Sequence, residues 1–184
     1  MTPARSLRVW DPLVRALHWS LVMAVAVTWL STLRVGIPLA WHEPAGYVAI
    51  GCTAMRIVWG VYGTRYARFR QFVRRPSTTL RYAQAVRQGR APRHIGHNPL
   101  GGWMVLTLLA STAAIAVSGW LQTTDRYWGS ETLEWVHTGL AWSLLGLIFL
   151  HVLGVIVTSR HHGENLVLAM LDGRKAPASG NDVA

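Results

Sequence analysis

Four histidines lie in or beside long apolar stretches of this sequence, where an imidazole ring requires a partner or a chemical role. They are His18, His42, His137 and His151. An ionisable group inside a membrane helix is costly to bury and often marks a functional site. Neutral imidazoles on facing helices are a common way to hold a non-covalent haem in the core of a helix bundle. These residues therefore make haem binding the first chemistry to consider.

The spacing of the histidines predicts two pairs. His137 and His151 are fourteen residues apart, which is about 21 Å along a helix and within about 40° of four full turns. They share one helix face at two depths. Because successive membrane helices run in opposite directions, His18 is expected at the depth of His151 and His42 at the depth of His137. The sequence thus predicts two haem b groups with bis-histidine ligation.

Other metal sites fit the sequence less well. Zinc requires three or four ligands that converge at one point, whereas each predicted depth offers two. Cys52 is the single cysteine, which excludes a motif for covalent haem and a cysteine-rich iron–sulfur site. A histidine taken alone is more often a hydrogen-bonded packing residue or an interfacial anchor, and His42 also suits an ordinary helix start. A haem-free membrane anchor is the corresponding alternative function.

Two further residues are candidates for cofactor contact. Arg56 follows His42 by fourteen residues, so it projects from the same helix face about 21 Å deeper, at the level predicted for the second haem. It is expected to pair with a haem propionate, and the alternative is an arginine that extends to the membrane surface. His97 precedes Asn98 and Pro99, a typical helix start. Two roles for His97 follow: it forms part of this turn, or it contacts a haem propionate or a quinone.

The elements that position these residues are four predicted transmembrane helices. The chain has 184 residues, of which 51% are hydrophobic and 14% charged, and it contains ten tryptophans. Crossing a bilayer takes roughly 20 helical residues, and tryptophan favours the membrane boundary. The apolar stretches predict an all-α integral membrane four-helix bundle, with haem ligands on the first, second and fourth helices. The helices are expected at about 13–33, 44–62, 100–121 and 133–159.

The distribution of arginine predicts the orientation. Nine arginines lie between the second and third helices, while the other two connections carry only Arg34 and Arg126. The positive-inside rule therefore places both termini and the middle connection in the cytoplasm. A short helix capped by Ser77 is expected there, attracted by anionic lipids. The net charge of +10 is explained by this pattern, and no nucleic-acid partner is expected.

The chain is expected to form a single membrane domain, residues 1–175, followed by a flexible tail over residues 176–184. The tail is rich in small and polar residues, which is typical of a frayed terminus. The remaining histidines, His94, His161 and His162, lie in polar segments and are expected to be solvated. Formation of a homo-oligomer is compatible with the sequence.

Local motifs along nearly the whole chain, from about Val9 to Lys175, resemble the bacterial cytochrome b561 / Ni-hydrogenase b-type cytochrome family. They are Trp10-Asp11-Pro12, Arg15, His18-Trp19, His42-Glu43, Gly46-Tyr47, Arg56, Trp59-Gly60, Gly96-His97-Asn98-Pro99, Gly101-Gly102, His137, His151, Glu164-Asn165-Leu166, Met170 and Gly173-Arg174-Lys175. In that family the haem ligands come from helices 1, 2 and 4. The family's pattern and the spacing therefore indicate the same four histidines.

The resemblance implies a multi-pass protein of the bacterial inner membrane with two b haems. Its function would be electron transfer between the quinone pool and a periplasmic partner, either a hydrogenase or a c-type cytochrome. An alternative from the same resemblance is a self-contained superoxide:quinone oxidoreductase. The connection over residues 122–134 is short and carries acidic and aromatic residues. It suits a docking patch better than an active site of its own, which favours an electron-transfer subunit over a stand-alone enzyme.

Overall fold

The described part of the chain, residues 6–180 and 182–183, is mostly helical in a computed structural model. Its α-helices are α1 (Pro12–Thr32), α2 (His42–Tyr62), α3 (Phe69–Phe72), α4 (Pro76–Arg87), α5 (Pro99–Gln122), α6 (Glu131–His162) and α7 (Leu166–Asp172). A short 3₁₀ turn, Leu39–Trp41, precedes α2, and two-residue strands β1 (Leu7–Arg8) and β2 (Arg174–Lys175) pair antiparallel. The predicted helical class is confirmed.

Three of these helices, α1, α5 and α6, are long and apolar enough to cross a membrane. The remaining long helix, α2, has 21 residues but includes the charged residues Glu43 and Arg56, which lower its apolar character. All four long helices begin one or two residues before the expected bounds, because Pro12, His42, Pro99 and Glu131 already belong to the first helical turn. The α6 helix also extends three residues beyond its expected end.

The helix start predicted before α5 is confirmed. Pro99 is the first helical residue, and the Asn98 side-chain oxygen accepts a hydrogen bond from the Gly101 amide at 2.7 Å. The cap predicted for α4 is wrong. Pro76 occupies the first turn of that helix and Arg75 precedes it, with no side-chain cap, because the fixed backbone angle of proline suits the first helical position. Ser77 consequently lies inside the helix.

The chain forms two compact units. The first unit contains the described residues of 1–15, 59–106 and 149–184, and the second contains residues 16–58 and 107–148. The core of the first unit is built around buried Val9, Trp10 and Val14, which pack with Ala67, Ile95 and Ala169. Gly173, which ends α7 with φ +82°, approaches the Trp10 backbone so closely that a Cβ would lie 2.6 Å from its oxygen. Gly173, after the last helix, is thereby in contact with Trp10, just before the first.

Asp11 connects three segments of the first unit. Its carboxylate accepts hydrogen bonds from the Val14 amide at 2.9 Å, the Trp59 indole at 3.1 Å and the Thr64 hydroxyl at 2.5 Å. Partial burial by itself raises the pKa of Asp11, but the hydrogen bonds from Thr64, Val14 and Trp59 outweigh it and lower the pKa. Asp11 therefore remains charged at neutral pH and holds the start of α1 beside the end of α2.

The C-terminal residues are tied to the segment before α5 by a network of charges. Arg93 donates to Glu164 at 2.8 Å and also pairs with Asp182, and the Lys175 ammonium lies 3.5 Å from Glu164. His94 and Val183 form an isolated parallel bridge. Burial alone raises the pKa of Glu164, but the hydrogen bond from Arg93 and the charge of Lys175 lower it overall. Flexibility of residues 176–184 stays a prediction.

Replacement of Glu164 by glutamine is expected to expose Lys175 to proteolysis. Lys175 is the single lysine of the chain and is only 7% exposed, so a lysine-specific endoprotease has one possible site. Loss of the carboxylate leaves Arg93 and Lys175 without this partner and favours local opening, with cleavage about tenfold faster at neutral pH. Because the pKa of Glu164 is lowered, its stabilising effect is present at neutral pH and disappears only in acid.

The matched control is Asp125→Asn, which neutralises an exposed carboxylate far along the chain. It is expected to leave the cleavage rate unchanged. Equal rates for Glu164→Gln and the unmodified protein would show that the network does not protect the tail.

Candidate functional site

The second unit brings together one of the two predicted histidine pairs. The rings of His42, the first residue of α2, and His137, in α6, have centres 6.2 Å apart with planes tilted by 66°. A metal–nitrogen bond of about 2 Å on each side, plus about 1 Å from nitrogen to ring centre, gives roughly 6 Å when two imidazoles bind one metal ion from opposite sides. The observed separation matches this arrangement.

The outer nitrogen of His42 is occupied by a hydrogen bond. Its Nδ1 lies 3.0 Å from the Thr28 carbonyl oxygen and 3.4 Å from the Ser31 hydroxyl. A carbonyl oxygen only accepts, so Nδ1 carries the proton and donates it. The Ser31 hydroxyl donates its own hydrogen to the same carbonyl at 2.8 Å. The unprotonated lone pair of His42 is therefore on Nε2, the nitrogen that remains for a metal ion.

His137 has the same tautomer for a similar reason. The Ser118 hydroxyl, on α5, donates to the Ile115 carbonyl at 2.8 Å and lies 3.0 Å from His137 Nδ1. Because that hydroxyl has one hydrogen, it can only accept from Nδ1–H. The Nε2 lone pair of His137 is thus available as well. Orientation of a metal-binding histidine by a hydrogen bond to its other nitrogen is a general feature of such sites.

Gly119 provides the space in which the His137 ring lies. A Cβ atom at this position would be 3.1 Å from His137 Cε1, closer than an ordinary van der Waals contact, and 3.5 Å from Nδ1. The adjacent pair Ser118 and Gly119 therefore fixes the ring from one side. One residue supplies the hydrogen-bond acceptor and the other avoids a steric clash.

Four contacts connect the four long helices within the second unit. Thr28 and His42 join α1 to α2, His42 and His137 face each other between α2 and α6, and Ser118 joins α5 to α6. The rings of Trp29 and Trp142 also meet edge to face at 5.0 Å, between α1 and α6. The histidine pair is thus enclosed by segments of all four helices.

The other predicted pair is divided between the units. His18 belongs to the second unit, where its ring meets Trp19 edge to face at 5.2 Å. His151 belongs to the first unit and is half-buried on α6, fourteen residues after His137. The pairing of His18 with His151 stays a prediction from helical spacing.

Arg56 and His97 are both in enclosed positions. Arg56 is 6% exposed on α2, and the small residues Ala45 and Ala49 on its helix are buried as well. The His97 ring lies in the first unit between those of Trp10 and Phe72, each with a centre 4.6 Å away. Contact of either residue with a propionate or a quinone stays a prediction.

Clusters suited to other metals are absent from the residues that the structure describes, since no group of three or more His, Cys, Asp or Glu side chains converges there. Haem iron receives four ligands from its porphyrin and needs only two from the protein. The facing pair of neutral imidazoles therefore suits haem iron better than zinc.

Sequence reasoning missed the residues that orient the pair. Thr28, Ser31 and Ser118 are ordinary hydroxyl residues of apolar helices, and nothing in their spacing distinguishes them from Thr112 or Ser143. Gly119 is likewise one of several glycines in the apolar helices. A serine next to a glycine in an apolar helix is the one local signal that could have indicated a closely packed polar ring.

Comparison with protein families yields one match, to the model of prokaryotic cytochrome b561 over residues 9–173. Neither a curated protein nor a solved structure matches the chain. Proteins of this family bind haem b and function in membrane electron transfer. The matched region includes all four candidate histidines, together with Arg56 and His97, and extends over most of the chain. The chain therefore belongs to the prokaryotic cytochrome b561 family and is a membrane protein with several membrane-spanning helices.

Proposed function

We propose that this protein is a diheme cytochrome that transfers electrons across the bacterial inner membrane between the quinone pool and a periplasmic redox partner. The observation that carries the proposal is the His42–His137 pair, with a ring-centre distance of 6.2 Å and both Nδ1 atoms engaged in hydrogen bonds. With Nδ1 of each ring donating a hydrogen bond, Nε2 would be the nitrogen available to a haem iron. Bis-histidine ligation leaves no open position for dioxygen, which favours electron transfer.

We assign two histidine ligands to each haem. His42 and His137 hold the haem nearer the outer surface, and His18 and His151 hold the second, about 21 Å further along the helices. Bound haem b supplies a one-electron iron couple. The protein orients the outer imidazoles through Ser31, Thr28 and Ser118, so that Nε2 would be the nitrogen that binds the iron. Gly119 leaves room for the His137 ring.

Arg56 is assigned to the deeper site. It is a buried cation fourteen residues after His42 on the same helix, and a propionate carboxylate is the anion that the second haem would bring to that depth. His97 is assigned first to packing between Trp10 and Phe72, and contact with a quinone or a propionate is the alternative role.

The connection between α5 and α6 is the proposed docking surface for the periplasmic partner. It exposes Trp128, at 78%, and Asp125, and the first turn of α6 adds the exposed residues Glu131 and Glu134. An acidic patch around an aromatic residue suits a partner with a basic docking face, such as a c-type cytochrome or a hydrogenase subunit. The outward orientation follows from the arginine distribution along the chain.

The experiment that tests the proposal is a reduced-minus-oxidised optical spectrum with haem quantification on detergent-purified protein. About two b haems per chain, both reduced by a quinol, are expected. Protein without haem would exclude the proposal. Reduction of quinone by superoxide with the isolated protein would instead favour the self-contained oxidoreductase.

Replacement of Ser118 by alanine is expected to raise the midpoint potential of the outer haem. The change removes one acceptor for His137 Nδ1–H, so the imidazole is expected to become a weaker electron donor to iron. One hydrogen bond contributes about 1 kcal/mol, which corresponds to a shift on the order of tens of millivolts for a one-electron couple. A redox titration followed in the haem absorption bands measures it.

The matched control for this titration is Ser143→Ala. The Ser143 hydroxyl donates only to the Gly139 carbonyl of its own helix, at 2.8 Å. Its loss is expected to leave both potentials unchanged. Equal potentials in Ser118→Ala and the unmodified protein would show that this hydroxyl does not tune the haem.

A further inference from the structure

The segment between α2 and α5 forms a surface of unpaired positive charge. No Asp or Glu occurs between Glu43 and Asp125. Seven exposed arginines of the segment make up what we call the arginine surface: Arg65, Arg70, Arg74, Arg75, Arg81, Arg87 and Arg90. In the part of the chain that the structure describes, ion pairs form at Arg93 and Lys175 and at none of these seven. The surface is therefore available to an external anion.

Contacts with α5 hold one end of this surface beside the start of a membrane span. The Trp103 indole donates to the Arg74 backbone oxygen at 3.1 Å, and a Cβ at Gly102 would lie 2.7 Å from the Phe72 backbone oxygen. Trp103 is about 6 Å along the helix from Pro99, where the span begins. Tryptophan at this position is typical of the boundary between acyl chains and headgroups. Arg74 and Arg75 therefore lie at headgroup level.

The α4 helix presents arginines outside its packed side. Its one buried residue, Tyr82, meets the His94 ring edge to face at 5.1 Å. Leu80 and Arg87 lie about 160° and about 140° around the helix from Tyr82, and Arg81 lies about 100° from it. Leu80 is 62% exposed. Exposed arginines beside an exposed leucine are typical of a helix that lies in the membrane interface.

We propose that the arginine surface binds the phosphate groups of anionic phospholipids in the cytoplasmic leaflet. Guanidinium groups pair with phosphate oxygens through two parallel hydrogen bonds. In a zwitterionic headgroup, the lipid's own cation already neutralises the phosphate charge. Several arginines held at headgroup level would select phosphatidylglycerol over phosphatidylcholine. The bound lipid would fix α4 flat against the membrane and stabilise the turn that contains His97.

The test is native mass spectrometry of the full-length protein in detergent with phosphatidylglycerol or phosphatidylcholine added at equal concentration. The unmodified protein is expected to retain phosphatidylglycerol preferentially. Two double variants, Arg74→Gln/Arg75→Gln and Arg81→Gln/Arg87→Gln, are each expected to weaken that binding roughly tenfold or more. The control Arg34→Gln/Arg126→Gln removes the same charge from the other two connections and is expected to have no effect.

Equal phosphatidylglycerol binding by all variants would overturn the proposal. Displacement of the lipid by an equal concentration of inorganic phosphate would also overturn it, because a soluble phosphate compound would then be the ligand. If a variant fails to accumulate, salt dependence of the unmodified protein provides the test. Raising KCl from about 0.05 to about 0.5 M is expected to weaken phosphatidylglycerol binding, because salt screens the arginine charges. Binding that does not depend on salt would contradict the proposal. Haem content is measured on the same samples, so failure of the haem sites is distinguished from failure of lipid binding.

Discussion

Replacing His42 or His137 by alanine is expected to lower the haem content of the purified protein from about two to about one per chain. The two ring centres are 6.2 Å apart, close to the separation expected when two imidazoles share one metal ion, so we expect loss of either ring to remove one ligand of the same haem. Both variants should lose the same spectral component. Pyridine haemochrome quantification and the reduced-minus-oxidised spectrum measure the loss.

The double variant His42→Ala/His137→Ala provides the sharpest comparison. Its haem content should equal that of either single variant, because the two single variants and the double variant all remove the same site. The remaining haem should disappear only when His18 or His151 is also replaced. His161→Ala, an exposed histidine at the end of α6, is the control and should retain both haems. Loss of different components in the two single variants would show that His42 and His137 serve different haems.

Replacing Gly119 by leucine is expected to remove the outer haem almost as completely as loss of a ligand. Even the first carbon of the new side chain would lie 3.1 Å from His137 Cε1, and the rest must displace the ring. Overpacking at such a contact typically costs about 1–3 kcal/mol, and the displaced ring also loses its hydrogen bond to Ser118. Haem quantification should show about one haem per chain, with the inner component preserved.

Gly139→Leu is the matched control on α6. A Cβ at Gly139 meets no atom within 4 Å, and this glycine lies about 200° around the helix from His137. Both haems should remain in this variant. Two full haem equivalents in Gly119→Leu would mean that the ring can move without loss of ligation, and the proposed role of Gly119 would be wrong.

Much of the helical framework was predictable because its causes are local. Long apolar stretches specify α1, α5 and α6, and Asn98 followed by Pro99 specifies where α5 begins. The α2 helix was predicted despite its charged residues, since its apolar stretch is of comparable length. The α4 cap was predicted two residues late, at Ser77 and not Arg75, because a proline and a serine compete for the same helix start, and the fixed backbone of proline prevailed.

The sequence by itself determined which residues have the chemistry: four histidines, two of them fourteen residues apart on one helix, in helices long enough to span a membrane. Only the tertiary structure decided which atoms orient the outer pair, namely Ser118 beside His137 and Thr28 beside His42. It likewise decided that Arg93 meets Glu164, 71 residues away. The physical reason is that helix length and facing direction follow from neighbours along the chain, whereas a hydrogen bond between helices depends on their rotation and depth, which packing alone establishes.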